Sequence, residues 1–279
     1  MPVASFEKKI GFRKIEIRDR LFCLNGKTIK LNGAGRHEYD PLTGRASTMK
    51  HGRQDVALLK AANLNYVRTC HYPPTMEMVD AADELGLHLE IEAPFCWAGR
   101  GDEPGTVRRV LTPTSAMLDY YNSHPSVLMW SVANELAFTP IFDVSARMIK
   151  ALDPDRIDTF NDQDSKGICD TVNWHYPAMP FDANVPQEKR PVLIDEYFFP
   201  VCHEQMDVRV DPGLRELWGA GKADPTTPYA KALDAEYDRA KHLMPGAKSD
   251  LGWSIYHSKH IAGTAMFGAE DDPYRFFGW

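Results

Sequence analysis

The stretch that decides the fold is VLMWSVANE, which occupies positions 127–135. Six of its first seven residues are apolar, a composition typical of a parallel strand that is buried on both faces. The stretch then ends on an amide and a carboxylate, Asn134 and Glu135. Either the pair marks the point where the strand reaches solvent, or the fold holds a carboxylate at a functional position.

Seven further stretches have the composition of strands, and they occupy 28–34, 65–70, 87–92, 156–161, 170–175, 191–196 and 261–268. Helical periodicity lies between several of them, at 53–64, 75–87 and 141–154. Strands that alternate with helices predict parallel β/α units, and eight such units favour an α/β fold of the (β/α)8 TIM barrel type over 28–279. The competing doubly wound sheet normally has a glycine-rich phosphate turn after its first strand. LNGAGRHE (31–38) has only a GxG, which we interpret as an ordinary turn.

Composition excludes several classes of function. The net charge is −7 with no basic stripe, which argues against nucleic acid as a partner. No run of about 18 apolar residues and no leader-like segment is present, so we expect no membrane span and a cytoplasmic location, with secretion left open. The five cysteines form no CxxC pair. Without HxH, HExxH or EF-hand spacing, we predict neither a catalytic metal nor a cofactor.

In a parallel barrel the active site is built at the carboxyl ends of the strands. Two carboxylates end especially apolar strands there, Glu135 on the fourth and Glu196 on the seventh. A single glutamate at a barrel rim is more often solvated or ion-paired. Two of them on nearly opposite strands, each in a polar and aromatic cluster, favour glycoside hydrolysis, which needs one carboxyl group as acid and a second one across the sugar.

Longer motifs carry a resemblance to a known family. They are GFRKIEIRDRLFCLNGKTIKLNGAGRHEYDPLTG (11–44), DVALLKAANLNYVRTCHYPP (55–74), DELGLHLEIEAP (83–94), NSHPSVLMWSVANE (122–135) and RPVLIDEY (190–197). In these motifs the chain resembles the catalytic barrel of glycoside hydrolase family 2, the β-galactosidase/β-glucuronidase family, over nearly its whole length.

The resemblance implies a retaining, double-displacement mechanism with Glu135 as general acid/base and Glu196 as nucleophile. It also implies that Asn134 binds the sugar 2-hydroxyl and that Arg68 orients Glu196. The substrate-binding residues would further include His37, His71, His175, Tyr176 and Phe267, the last in place of the family's tryptophan. Structural alternatives stay open, because His71 could cap a turn and His37 and His175 could satisfy loop carbonyls. For Trp97, Trp174 and Trp253 we expect a core position in at least two cases.

The chain departs from the family pattern in ways that bear on specificity. Cys96 and Ala98 occupy the positions where the magnesium-dependent galactosidases carry a glutamate and a histidine, which supports the prediction of no metal. No Asn-x-Lys follows the eighth strand, which counts against glucuronides. We therefore expect an exo-acting β-galactosidase. The alternatives are a β-mannosidase or β-glucuronidase, an endo-acting barrel glycosidase, or a barrel that binds carbohydrate or a protein partner without turnover.

Family members place a sugar-binding jelly roll and an immunoglobulin-like sandwich before the barrel. The resemblance thus implies that residues 1–27 lead into the barrel as a linker from an upstream domain. Residues 203–250 are long for a connection, and we predict a rim loop followed by a helix.

Overall fold

The computed structural model describes residues 5, 9–38, 43, 46, 49–97, 105–161, 164, 166–175, 187–197, 261–266, 271–272 and 275–276. The chain begins with a three-stranded antiparallel sheet of β1 (Ile15–Arg18), β2 (Leu21–Leu24) and β3 (Lys27–Ile29). Phe22 of β2 is fully buried in one cluster with Leu31 and Tyr66. Residues 15–24, which we assigned to a linker, therefore form strands that pack against the barrel interior.

Eight parallel strands form the barrel. They are β4 (Leu31–Arg36), β5 (Tyr66–Thr69), β6 (His88–Glu92), β7 (Val127–Asn134), β8 (Ile157–Asn161), β9 (Val172–His175), β10 (Val192–Tyr197) and β11 (Ile261–Met266). The pairing order is β8-β7-β6-β5-β4-β11-β10-β9. The two strands at the ends of this order, β8 and β9, lie next to each other. Thr171, which precedes β9, donates a hydrogen bond to Thr159 of β8 at 2.7 Å. The fold is a (β/α)8 barrel, as the sequence predicts.

Four helices connect the first five barrel strands: α1 (Met49–Ala61), α2 (Met76–Leu85), α3 (Thr106–Tyr121) and α4 (Pro140–Leu152). Helix α2 ends at Gly86, whose φ of 75° suits glycine as a left-handed C-cap. Helix α3 is absent from our sequence interpretation, and Pro113 lies inside it. No helix in the described part of the chain is long and apolar enough to cross a membrane.

Strand β7 shows how the core and the site share one element. All eight of its residues are buried. Trp130 and Val132 lie in the cluster that joins the sheet to residues of the helices, such as Val79 and Phe142. Ser131 instead donates a hydrogen bond to Glu92 of β6 at 2.9 Å. One strand therefore packs in the core and also carries a polar side chain that reaches the site.

Two details of the sequence interpretation need correction. The predicted first strand over 28–34 is divided in the structure, because residues 28–29 belong to β3 and the barrel strand begins at Leu31. The GxG of Gly33 and Gly35 lies within β4 and is not a turn. A Cβ at Gly33 would lie 2.2 Å from the carbonyl oxygen of Tyr66, so glycine is needed there for close strand approach. The predictions for residues 203–250, Tyr176, Trp253 and Phe267 fall outside the described residues.

A short antiparallel ribbon follows the barrel, formed by β12 (Asp271–Asp272) and β13 (Arg275–Phe276).

Candidate active site

The carboxyl ends of the barrel strands bring together a dense set of polar side chains. They come from six strands and the residue after β7, and they are Arg68, Glu92, Asn134, Glu135, Asn161, His175, Asp195 and Glu196. Side chains from these strand ends can meet because parallel strands finish at the same rim of a barrel.

Arg68 is the centre of this set and is fully buried. Its Nη1 donates to Glu196 Oε1 at 2.5 Å, and its Nη2 donates to Glu92 Oε2 at 2.7 Å and to Asn134 Oδ1 at 2.5 Å. Its Nε lies 3.6 Å from Asp195 Oδ2. One guanidinium therefore fixes the positions of side chains from β6, β7 and β10, which its planar fork of donors suits well.

Glu196 is 3% exposed. We call the part of the barrel mouth formed by Glu196 and the buried Arg68 the closed side. The guanidinium of Arg68 holds Oε1, and His175 Nδ1 lies 3.6 Å from Oε2. Two positively charged side chains therefore hold this carboxyl group in one position. A carboxyl group that is fixed in this way is suited to act as a nucleophile.

The side chain of Glu135 is 24% exposed. We call the part of the barrel mouth formed by Glu135 and the residues that follow β6 the open side. Its backbone has a φ of 47°, in the left-handed region, immediately after β7. His175 Nδ1 donates to Oε1 at 2.9 Å, and the indole Nε1 of Trp97 donates to Oε2 at 2.8 Å. The hydrogen bond from His175 is the main cause that lowers the pKa of Glu135, against a smaller opposing effect of burial.

The two carboxyl groups face each other across a short distance. One carboxylate oxygen of Glu135, one of Glu196 and a ring nitrogen of His175 all lie within 4.8 Å of one another. This spacing can accommodate the anomeric carbon of a sugar and its glycosidic oxygen between an attacking and a protonating group.

His175 joins the two sides of the mouth. Its Nδ1 bonds Glu135, and its Nε2 lies 3.3 Å from Asp195 Oδ1. Burial favours the neutral ring, but the charge of Asp195 and the acceptors around it outweigh burial and raise the pKa of His175 to about 10. The ring is therefore an imidazolium at neutral pH, and Nδ1 acts as the donor to Glu135.

Glu92 is fully buried at the floor of the site, by which we mean its innermost part, and it is bonded to Arg68. Burial would raise its pKa, but the charge of Arg68 and the hydrogen bond with His71 lower it to about 2. His71 Nδ1 lies 2.8 Å from Glu92 Oε1, and the His37 ring packs edge-on against His71 with centroids 5.0 Å apart. The two histidines thus form one wall next to the charged centre.

Glu90 lies two residues before Glu92 on the same face of β6. Tyr66 Oη donates to its Oε2, and Asn161 Nδ2 donates to its Oε1 at 3.0 Å. Burial, with the nearby charge of Asp195, raises the pKa of Glu90. A proton on Glu90 limits the negative charge that Arg68 must balance.

The structure brings together six of the predicted site residues by direct contact: Glu135, Glu196, Arg68, Asn134, His71 and His175. His37 joins them through the His71 ring. Sequence reasoning assigned no role to Asp195, Asn161 or Asn173, although Asn173 Nδ2 donates to Asp195 Oδ2 at 2.7 Å. The sequence contained one indication for Asn173. Successive side chains of a strand point to opposite faces, so Asn173 lies on the same face of β9 as His175.

Of the three tryptophans for which we expected at least two core positions, Trp97 does not lie in the core. Its side chain is 74% exposed and it bonds the candidate acid Glu135. Trp174, by contrast, is partly buried against a cluster that contains Val172 and Ile194, in agreement with a core role.

The described part of the loop after β6, residues 93–97, offers no side-chain ligand that suits a magnesium ion. Cys96 Sγ accepts a hydrogen bond from Asn134 Nδ2 at 3.3 Å, and burial raises the pKa of its thiol. A protonated thiol is a poor partner for a hard cation that demands oxygen ligands. The described residues contain two groups with metal-ligand spacing, Asp80–Asp83–His124 and Glu135–His175–Glu196. In both, histidine Nδ1 already bonds a carboxylate.

Comparison with known proteins identifies the family. Residues 15–204, about two thirds of the chain, match the family described as "Glycosyl hydrolases family 2, TIM barrel domain". The chain belongs to glycosyl hydrolase family 2. Within this family it is 35% identical over 254 residues to a "Putative beta-glucuronidase" of Formosa agariphila, covering 90% of this chain and 27% of that protein. It is 30% identical over 217 residues to a "Beta-galactosidase" of Vibrio cholerae, covering 70% of this chain and 21% of that protein.

Solved structures show the same family 2 barrel. A GH2 beta-galacturonidase from Eisenbergiella tayi, bound to galacturonate, matches with a TM-score of 0.68 at 21% identity, over 92% of this chain and 46% of that one. A family 2 member from Bacteroides cellulosilyticus matches with a TM-score of 0.65 at 20% identity, over 93% of this chain and 30% of that one. At such identities the likeness establishes the fold. The chain spans about a quarter of the length of the two curated relatives.

Proposed function

We propose that this family 2 barrel is the catalytic part of a retaining exo-β-glycosidase that removes terminal β-linked sugars, with β-galactosides as its substrates. The observation that carries the proposal is the pairing of Glu135 and Glu196, with one oxygen of each within 4.8 Å of the other. Retaining enzymes hold their two carboxyl groups about 5–5.5 Å apart, whereas inverting enzymes hold them about 6.5–9.5 Å apart. The short separation supports a double displacement.

In the first step, Glu196 Oε attacks the anomeric carbon while Glu135 gives its proton to the glycosidic oxygen. The C–O bond to the leaving group breaks, and a glycosyl ester of Glu196 forms. In the second step, Glu135 takes a proton from water, the water oxygen attacks the anomeric carbon, and the ester bond breaks. The hydrogen bond from Arg68 to Glu196 supports the assignment of the nucleophile, because it fixes the position of the attacking carboxyl group.

Asn134 is proposed to bind the sugar 2-hydroxyl. Its Oδ1 is held by Arg68, while its Nδ2 donates to the sulfur of Cys96. Sulfur is a weak acceptor, so a sugar hydroxyl can replace it at little cost. His37 and His71, which pack on each other next to Glu92, would line the remainder of the terminal-sugar subsite.

The charge around the mouth supports a neutral sugar. Glu92, Glu135, Asp195 and Glu196 contribute carboxyl groups, and the single described guanidinium among them, Arg68, is already bonded to Glu92 and Glu196. A uronate would add a further negative charge next to them. The same negative field would stabilise the positive, oxocarbenium-like transition state of a neutral glycoside. A β-glucuronidase is the second candidate, because the Formosa agariphila relative of that name matches 90% of the chain.

A screen of p-nitrophenyl β-glycosides tests the proposal, with galactoside, glucuronide and mannoside compared under the same conditions. We expect the highest kcat/KM for the galactoside. Proton NMR of the first product should show the β-anomer, since two displacements retain configuration. A preference for the glucuronide would contradict the specificity, and an α-anomer would contradict the mechanism. Binding of galactose without hydrolysis of any substrate would favour a barrel without turnover.

A further inference from the structure

The loop after β6 presents an indole to solvent at the edge of the mouth. Trp97 is 74% exposed, whereas Trp130 of β7 is fully buried. Exposure of most of an indole ring forgoes the large stabilisation that its burial would give. The ring is nevertheless tethered, because Nε1 donates to Glu135 Oε2 at 2.8 Å.

On the basis of the proposed function, we propose that Trp97 forms the leaving-group subsite and stacks its exposed face on the ring of the departing group. The chemistry that the indole recognises is a ring with an apolar face. An aryl aglycone has such a face, and so does the hydrogen-lined face of a pyranose.

The position of the subsite follows from the two oxygens of Glu135. Oε1 is bonded by His175, which also lies near Glu196, so this oxygen faces the side of the nucleophile. Oε2 is bonded by Trp97. A general acid must come within about 2.6–3.2 Å of the atom that it protonates. The glycosidic oxygen therefore lies next to Glu135, the terminal sugar extends from it toward Glu196, and the leaving group extends away from Glu196, where Trp97 lies.

The backbone on both sides of this hydrogen bond is unusual. Trp97 has a φ of 49° and Glu135 a φ of 47°. Both residues carry a Cβ, and the left-handed region is unfavourable for such residues. Cys96 pairs with Asn134 in an isolated parallel bridge, which ties the loop to the end of β7. These features hold the loop in a position where the indole of Trp97 contacts Glu135 and does not pack on the core.

Binding of non-hydrolysable thioglycosides tests the subsite without turnover. Three ligands share the terminal sugar selected by the aryl glycoside screen, β-galactose in our proposal: the methyl thioglycoside, the phenyl thioglycoside and a thio-linked disaccharide. Their Kd values are measured by calorimetry for the wild type, Trp97→Ala, Trp97→Phe and Tyr120→Ala. Tyr120 on α3 is also an exposed aromatic residue, and it serves as the matched control.

We expect Trp97→Ala to weaken binding of the phenyl thioglycoside about three- to tenfold, in line with the strength of aromatic stacking. The methyl thioglycoside, which has no ring in the leaving group, should change less than twofold and so report an intact fold. Trp97→Phe should retain most of the phenyl advantage, and Tyr120→Ala should change nothing. A similar loss with the disaccharide extends the subsite to sugar leaving groups, and a loss confined to the phenyl ligand restricts it to aryl ones.

Equal changes for the methyl and phenyl ligands, or no change for either, would overturn the subsite and leave the proposed function in place. If none of the three ligands binds the wild type, the proposed function itself is contradicted, and the subsite with it.

Discussion

Glu196 and Glu135 carry the same carboxyl group, yet the two sides of the barrel mouth surround them differently. On the closed side, Glu196 is 3% exposed and bonded to the buried guanidinium of Arg68. On the open side, the side chain of Glu135 is 24% exposed and bonded by His175 and Trp97. Environment, and not residue type, distinguishes the two proposed roles.

The difference also exposes a requirement on the open side. A general acid must hold a proton when the leaving group departs, but the hydrogen bond from His175 lowers the pKa of Glu135 in the absence of substrate. The acid role therefore requires the bond from His175 or from Trp97 to weaken when a glycoside binds. The closed side has no such requirement, since the nucleophile has to stay ionised.

The largest effect is expected from Glu196→Gln on the closed side. An amide cannot form the glycosyl ester, so kcat should fall by about 10⁴-fold or more. The double variant Glu196→Gln/Glu135→Gln should lose little further activity, because groups that act as a unit are not additive. Retention of more than about a hundredth of the activity by a folded single variant would show that the nucleophile is another group.

A somewhat smaller effect is expected from Glu135→Ala on the open side. Loss of general acid catalysis typically costs about 10²–10⁴-fold, and this loss should appear with alkyl glycosides. Activated aryl glycosides depart without protonation, so their first step should suffer much less. Rates for a series of leaving groups of different acidity give the comparison. A loss independent of the leaving group would remove Glu135 from the acid role.

Sequence reasoning succeeded at the strand ends, on both sides of the mouth. Strand β7 is apolar and ends on Asn134 and Glu135, and the burial of all its eight residues fixes where those polar groups emerge. Arg68 and Glu196 likewise end predicted strands. Because parallel strands share one rim, the positions of the strands in the sequence were enough to bring these side chains together.

The contacts that surround Glu135 on the open side could not be predicted as well. Trp97 belongs to a loop, and periodicity carries no information about which way a loop residue points. We expected a core position for at least two of the three tryptophans, and nothing in the sequence indicated that Trp97 would be an exposed one. The bond between His175 and Glu135 joins residues 40 positions apart on strands that are not direct neighbours, so no local pattern records it.

A moderate effect on the open side is expected from His175→Asn. The imidazolium donates to Glu135, and Asp195 and Glu196 are the other charged groups that face it. Its removal should raise the pKa of Glu135, so the acid form survives to higher pH and the basic limb of the kcat/KM profile moves upward. Loss of one charge-assisted hydrogen bond should also lower kcat/KM at the optimum by about tenfold.

His71→Asn is the matched control for this profile. His71 bonds Glu92 on the floor of the site and not Glu135, so its variant should lose activity without moving the basic limb. A basic limb that stays in place in His175→Asn, or one that moves to lower pH, would show that His175 does not tune the acid.

The smallest effect is expected from removal of magnesium, which should change turnover by less than about twofold. On the open side, Cys96 carries a neutral thiol that accepts a hydrogen bond from Asn134, and it offers no hard oxygen ligand. Activity is measured after exhaustive chelation and then during a magnesium titration at constant ionic strength, with calcium as the matched control ion.

Glu92 and Glu38 are two described carboxylates that could still contribute to such a site, and both already have hydrogen-bond partners. Glu92 is bonded by Arg68 and His71. Glu38 Oε1 accepts from Arg36 at 3.2 Å and from the backbone N–H of Thr75 at 2.8 Å. Magnesium gives up its water reluctantly and would have to break these bonds to bind either group. A saturable, several-fold recovery with magnesium and not with calcium would show that the open side contains a cation site after all. The imidazolium of His175 would then not be the main positive charge next to Glu135.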